Sequence, residues 1–235
     1  MASVLDICNL ALSQLGDSAT VSSIDPPEGS AQADHCARFY PLARDSLLEM
    51  HDWSFATRRA LLVQLDNTVT QWAYCYAAPS DMLNPIAVLD STATDDLATV
   101  LQPTDPWLSA VPGYGGTPLV AAPAPQPYVL ERNDDGAEVV RTNQAAALLR
   151  YTARVTDPTR FSPLFVRALA ASLSSMLAGP LLKGEAGAAA ALRWQVVAFG
   201  QDGRSGWFGR AAASDAGQKR DPVRDHHQVA WLAGR

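Results

Sequence analysis

The 235-residue chain holds only three cysteines, Cys8, Cys36 and Cys75, and no two stand at a C-x-x-C spacing. An odd, unpaired set supplies no disulfide framework, and a zinc knuckle needs thiols grouped in pairs. The expected state is three reduced, buried thiols in a reducing cytoplasm. Basic charge is scarce as well. Lys plus Arg number 18 against 24 Asp plus Glu, a net charge of -6. Gripping phosphates by bulk attraction requires a basic surface that releases counterions, so a dedicated nucleic-acid binder is disfavoured. Nor is there a long uninterrupted apolar run. The most apolar stretch, Leu164 to Leu182, is broken by Arg167, Ser172, Ser174, Ser175 and Pro180. A bilayer span needs about 20 nearly continuous apolar residues, so this stretch reads as a core helix and no membrane partner is expected. The opening Met-Ala-Ser-Val-Leu-Asp has no cationic region before Asp6, and no secretion signal is visible.

The common catalytic signatures are missing too. Gly179 to Glu185 reads G-x-x-x-x-G-E, without the Lys and the Ser or Thr of a phosphate loop. Gly203-Arg204-Ser205-Gly206-Trp207 lacks the last glycine of a nucleophile elbow. Gly113, Gly115 and Gly116 follow no convincing strand and open no helix, which removes the dinucleotide fingerprint. Asp225-His226-His227 is the one dense group of metal-ligand types. Adjacent histidines in an extended segment point opposite ways, so the group reads as a solvated polar tail. His35 and His51 read as helix-surface or partly packed residues. Glu131 and Glu138 face each other across a hairpin, yet spacing alone does not separate an acid–base pair from ordinary solvated charges. No catalytic, metal or cofactor residue is assigned, and no enzyme is expected.

What is present is ample core material, 48% hydrophobic against 18% charged residues, enough for one moderate domain or two small ones. Val4, Leu5, Cys8, Ala11, Leu12 and Leu15 form one helical stripe, opened by Ser3 with Asp6 and stopped by Gly16. A second helix runs from Ser30 to about Trp53 through Ala33, Cys36, Tyr40, Ala43, Leu47 and Met50, with a kink or brief break expected near Phe39 because of Pro41. From Ala60 the period shortens. Leu61–Leu65, Gln71–Ala77, Pro85–Leu89, Tyr128–Arg132, Ala137–Thr142 and Ala146–Val155 read as strands, and Asp135-Gly136 marks a hairpin. Between them, 102–127 holds seven of the sixteen prolines and reads as an irregular loop. Ser162-Pro163 opens a third helix with Phe165, Leu169, Leu173, Met176 and Leu177 on one side, ended at Gly179-Pro180; a fourth starts near Gly184 and carries Leu192, Val196 and Phe199.

The fold expected is mainly α with a small β insert: a four-helix bundle core, a β-hairpin-containing insert between helices two and three, and an extended C-terminal tail. Residues 1–60 and 159–208 would form the bundle, 61–158 the insert with its Pro-rich loop, and 209–235 a docking tail. Residues 1–60 carry four basic and eight acidic groups, whereas 201–235 carry six basic and four acidic. A mildly basic tail on an acidic body suits docking on an acidic neighbour, with Trp231 as an anchor costly to leave in water.

The run Tyr40, Arg44-Asp45, Leu47-Leu48 and His51-Asp52-Trp53-Ser54-Phe55-Ala56-Thr57-Arg58-Arg59-Ala60 resembles the head-to-tail adaptor, or head-completion, proteins of tailed bacteriophages, also called tail tubular protein A. Supporting pieces are Asn9-Leu10-Ala11-Leu12 with Leu15-Gly16, Trp72-Ala73-Tyr74-Cys75-Tyr76 with Pro79, and Tyr151-Thr152-Ala153-Arg154-Val155-Thr156-Asp157 leading into Phe161-Ser162-Pro163-Leu164-Phe165. The likeness covers most of residues 1–200 in order; it extends neither to 102–127 nor beyond Trp207. It implies a structural virion protein in the neck between capsid and tail, assembled in the host cytoplasm as a ring of typically twelve copies beneath the portal protein. The ring would continue the DNA channel, pass genomic DNA without specific binding, and offer a surface to a tail or nozzle protein. Family habit places portal docking on the C-terminal region, here Trp207, Phe208, Val229, Trp231 and Leu232. Two other readings stand beside it: a virion-associated cell-wall hydrolase, tested by turbidity clearing, and a soluble helical interaction module, tested by the neighbouring genes.

Overall fold

The computed structural model describes residues 2–91, 125–203 and 205–218. Most of the Pro-rich stretch 102–127 and the chain from residue 219 on, including Val229, Trp231, Leu232 and the histidine pair, lie outside the described residues. Among the described residues there are five α-helices: α1 (Val4–Gln14), α2 (Ala31–Glu49), α3 (Pro163–Leu182), α4 (Gly184–Phe199) and α5 (Trp207–Ala216). There are seven strands: β1 (Thr57–Leu61), β2 (Gln64–Leu65), β3 (Tyr74–Ala77), β4 (Met82–Asp90), β5 (Tyr128–Arg132), β6 (Glu138–Thr142) and β7 (Ala147–Ala153). Two compact units result, one from Met1–Thr57 with Thr152–Arg235 and one from Arg58–Tyr151.

In the helical unit the starts of α1, α2 and α3 are each fixed by a side chain. Ser3 and Asp6 close a reciprocal capping box at α1, with Ser3 N–H donating to Asp6 at 2.8 Å and Asp6 N–H to the Ser3 hydroxyl at 3.1 Å. Ser30 caps α2 and Ser162 caps α3 by accepting from Ala33 and Phe165. The helix α2 runs unbroken through Pro41, which lies exposed. Likewise α3 continues past Gly179-Pro180 to Leu182, where Lys183 at φ 54° ends it. A proline late in a helix removes one donor, and the next turn closes when packing holds it. By length and composition α3 could cross a bilayer, and ten of its twenty residues are buried in this unit.

The expected four-helix bundle core does not form; the fold is α+β, with two antiparallel sheets of substantial size. Helices α1, α2, α4 and α5 each pack on α3, while α1 and α2 meet only slightly. A bundle requires four neighbours sharing one core; here one apolar helix is the shared partner. The tail expected to be extended from Gly209 instead begins inside α5. That helix buries Phe208, Ala211 and Asp215, a pattern built on one aromatic, one alanine and one carboxylate, which gives little apolar periodicity to read.

The strand unit contains a three-stranded sheet of order β1-β7-β4 and a four-stranded sheet of order β2-β3-β6-β5. The single strand expected at Leu61–Leu65 is divided between them. Leu62 N–H still bonds Ala147 at 3.0 Å, while Val63 already accepts from Ala77 at 2.9 Å. The hairpin signal at Asn133–Gly136 does form its turn, with Gly136 at φ 78°. Asn133 accepts from Ala137 N–H through its side chain at 2.8 Å, and the register sets Arg132 opposite Glu138.

Candidate functional site

Of the five residues that the sequence nominates, Trp207 and Phe208 are described, and α5 aims them differently. Trp207 is half-buried and carries two guanidinium groups on its ring, Arg167 at 4.1 Å and Arg210 at 5.1 Å from the centroid. Phe208 points inward, 7% exposed, against the rings of Trp53 at 5.9 Å and Phe199 at 6.0 Å. It is an internal anchor of α5.

The centre of that anchorage is Trp53, fully buried, whose indole N–H donates to the Leu47 carbonyl at 2.8 Å. Phe165 and His51 meet its ring edge-on at 4.9 and 4.7 Å, and Phe55 stacks at 5.8 Å. Phe55 in turn contacts Phe161 and Phe165. Such edge-to-face contacts add about 0.5–1.5 kcal/mol each beyond the area they bury.

Beside the aromatic hub lies a polar clamp that the sequence did not reveal. Asp215 of α5, 7% exposed, accepts from the Ser54 backbone N–H at 3.0 and 3.1 Å and from the Ser54 hydroxyl. His51 Nε2 lies 3.3 Å from its other side. Serine, histidine and aspartate are the residue types of a hydrolase triad, but the serine hydroxyl is bonded to the carboxylate and the histidine sits on the far side of it. A nucleophile needs the base at its own oxygen. This arrangement therefore ties α5 to the turn after α2. Only the burial of Asp215 betrays it, and burial of a lone helical Asp has no sequence signature. A cleft of about 350 Å³ opens next to the clamp between Phe55, Arg160, Leu164, Ser214 and Gln218.

The α4–α5 corner is closed tightly. A Cβ on Gly206 would come within 2.4 Å of the Ala198 carbonyl, and Gly200 stands at φ 80°. Only glycine fits both demands.

The other sequence candidates are held in structural bonds. Glu131 accepts from Arg141 at 2.8 Å and Glu138 pairs with Arg132 at 3.4 Å, so each of the hairpin carboxylates faces its own arginine. His35 stacks on Phe39 at 6.1 Å. The three cysteines are free and buried, and the Cys8 thiol, hydrogen-bonded to Cys36 and buried, is pushed up. Among the described residues no group of three or more His, Cys, Asp or Glu is placed to hold a metal ion. A second cleft, about 540 Å³, is lined by Val4, Leu5, Ser23, Pro41 and Arg44 along with Tyr40. Burial pushes the Tyr40 phenol up to about 12, and its hydroxyl has no partner among the described residues.

Several of the pieces that carry the adaptor resemblance, far apart in sequence, meet in the helical unit. Asp45 takes Arg44 at 2.7 Å and Arg154 at 3.1 Å. Trp53 and Phe55 meet Phe165 and Phe161, and Asn9 holds Val21 through both amide atoms at 2.8 and 3.1 Å. Neither a scan of protein-family models nor a search of curated proteins finds a match to this chain. The functional reading therefore rests on residues and geometry.

Proposed function

We propose that this chain is a structural head-to-tail adaptor of a tailed bacteriophage, a ring subunit that sits beneath the portal protein, continues the DNA channel and presents a surface to the tail. The observation that carries the reading is the ordered run of adaptor-like motifs from Asn9 to Phe165. The packing lends support, because those motifs interlock through Asp45–Arg154 and the Trp53–Phe55–Phe161–Phe165 hub. Shared motifs that interlock form a common scaffold, and a scaffold is what a ring component needs. The acidic balance is compatible with a lumen along which DNA slides, since a basic lining would hold phosphates.

The tail's place in the reading is now sharper. Residues 207–216 form α5, clamped by Asp215 and Phe208, so docking is assigned to the chain that follows it. A truncation after Gln218 is expected to fold and to lose attachment to the cognate portal in negative-stain micrographs of the mixed proteins. Full attachment by the truncated chain would remove the docking role from 219–235. A locus with no portal, capsid or tail genes around it, or absence of the chain from the neck of intact particles, would overturn the adaptor reading.

A further inference from the structure

Among the described residues, helix α4 is held from one side. Its buried residues are Gly187 and Ala198, and a Cβ on Gly187 would approach the Ala178 carbonyl of α3 to 2.9 Å. At 100° per residue the opposite face carries Glu185, Ala189, Leu192, Arg193 and Val196. All five are exposed, Leu192 by 66% and Val196 by 44%. An alanine-rich helix with leucine and valine turned to water buries too little to account for its own outer face.

The two charges on that face say what covers it. Glu185 and Arg193 lie four residues on either side of Ala189, and neither makes an ion pair among the described residues. Laid antiparallel against a second α4 about a twofold axis near Ala189, the helix brings Glu185 of each copy level with Arg193 of the other. Leu192 and Val196 of each copy then flank the crossing, and the two Ala189 methyls let the backbones approach. A parallel pair would set Glu185 on Glu185 and Arg193 on Arg193, which is repulsive at both ends. Antiparallel helix dipoles favour the same choice.

We propose that the outer face of α4 is a homodimer interface, occupied by α4 of a second copy of this chain in antiparallel register. Such a contact is isologous and closes at two copies, whereas a ring grows through heterologous contacts. It is therefore a separate assembly of free subunits and does not rest on the adaptor reading. One helix pair buries less than the roughly 1,200 Å² of a standard interface, so the dimer is reversible, with Kd in the range of about 10–100 μM.

Sedimentation velocity of the full chain, from about 5 to about 300 μM, is expected to show a concentration-dependent shift from 25.1 kDa toward twice that mass. Leu192→Glu should raise Kd at least about tenfold. So should Glu185→Arg and Arg193→Glu singly, through like-charge contacts. Combining the two reversals should restore wild-type association. As an independent reading, Ala189→Cys oxidised with copper–phenanthroline should form a disulfide-linked dimer on a non-reducing gel, whereas Asp135→Cys in the hairpin turn should not. The native thiols are buried and stay silent. A wild-type chain that remains monomeric throughout, association indifferent to Leu192→Glu, a double reversal that fails to rescue, or no Ala189→Cys cross-link would each overturn the proposal.

Discussion

The helical unit and the strand unit of this chain are held together in different ways. In the helical unit one buried indole, Trp53, collects rings from α3 and α5, and the polar clamp of Asp215 closes over it. Removing the centre removes several contacts together. In the strand unit, stabilisation is spread along ladders, with Tyr74–Ala77 paired to β6 and Tyr128–Arg132 paired to β6 from the other side. Arg141, 4% exposed, adds bonds to Glu131 and Asn67 at 2.8 and 2.9 Å. The contrast shows that one chain can combine a concentrated core, sensitive to single residues, with a distributed one that loses a rung at a time.

The contrast can be broken at its strongest point first. Trp53→Ala should cost about 4 kcal/mol, measured by chemical denaturation, since it removes a fully buried aromatic and leaves a cavity. Amide exchange should rise through α3 and α5 while the β3–β6 ladder keeps its protection; equal loss in both units would show that they unfold as one. Leu149→Ala on β7, also fully buried, should cost about 3 kcal/mol. Its exchange pattern is expected to be the reverse, falling on the strands. Asp215→Ala should cost about 2 kcal/mol, because the Ser54 N–H loses its acceptor. Exchange should then rise in α5 before any other helix, and unchanged protection there would remove the clamp from the account. Tyr40→Phe should be neutral or stabilise by about 1 kcal/mol, since it deletes a buried hydroxyl that finds no partner among the described residues.

The smallest expected effect is that of acid on the loop and cap carboxylates of the helical unit. The backbone N–H of Ser3 holds Asp6 below the usual carboxylate range, that of Ala19 does the same for Asp17, and the hydroxyls of Ser22 and Thr159 for Glu28 and Asp157. Each folded value is lowered, so each contribution is complete above the unfolded value near 4 and fades as pH falls through the folded one. A stability profile between about pH 6 and pH 2.5 should decline only at its acid end. Asp6→Asn should flatten the part that belongs to α1, and an unaltered profile would show that the Asp6 carboxylate contributes nothing.

Helix existence was legible where an apolar stripe met a capping residue, as at Ser3, Ser30 and Ser162, because both are local signals. The hairpin was legible for the same reason, since an Asp-Gly turn between two strand-like runs is local chemistry. Architecture was harder. Four readable helices suggested a bundle, but what decides between a bundle and a hub is which helix the others share as a partner, and that is settled by packing. Helix α5 escaped notice because its inward residues include an aspartate, and a buried carboxylate looks like a solvated one until Ser54 and His51 are beside it. At the candidate site, the sequence nominated Trp207 and Phe208 for portal docking, and α5 holds Trp207 half-buried and Phe208 buried. Their different surroundings follow from adjacent places on α5, 100° apart, and from how that helix is set by the α4–α5 corner.

The Asn133–Gly136 turn has a practical consequence. Asp134 and Asp135 stand at its exposed tip, while the bonds that close the turn belong to Asn133, Gly136 and Ala137. A short epitope spliced between the two aspartates would leave both flanking rungs in place. It would give an antibody-readable tag well inside the chain, able to report where this polypeptide sits in a larger particle while both termini keep their native sequence.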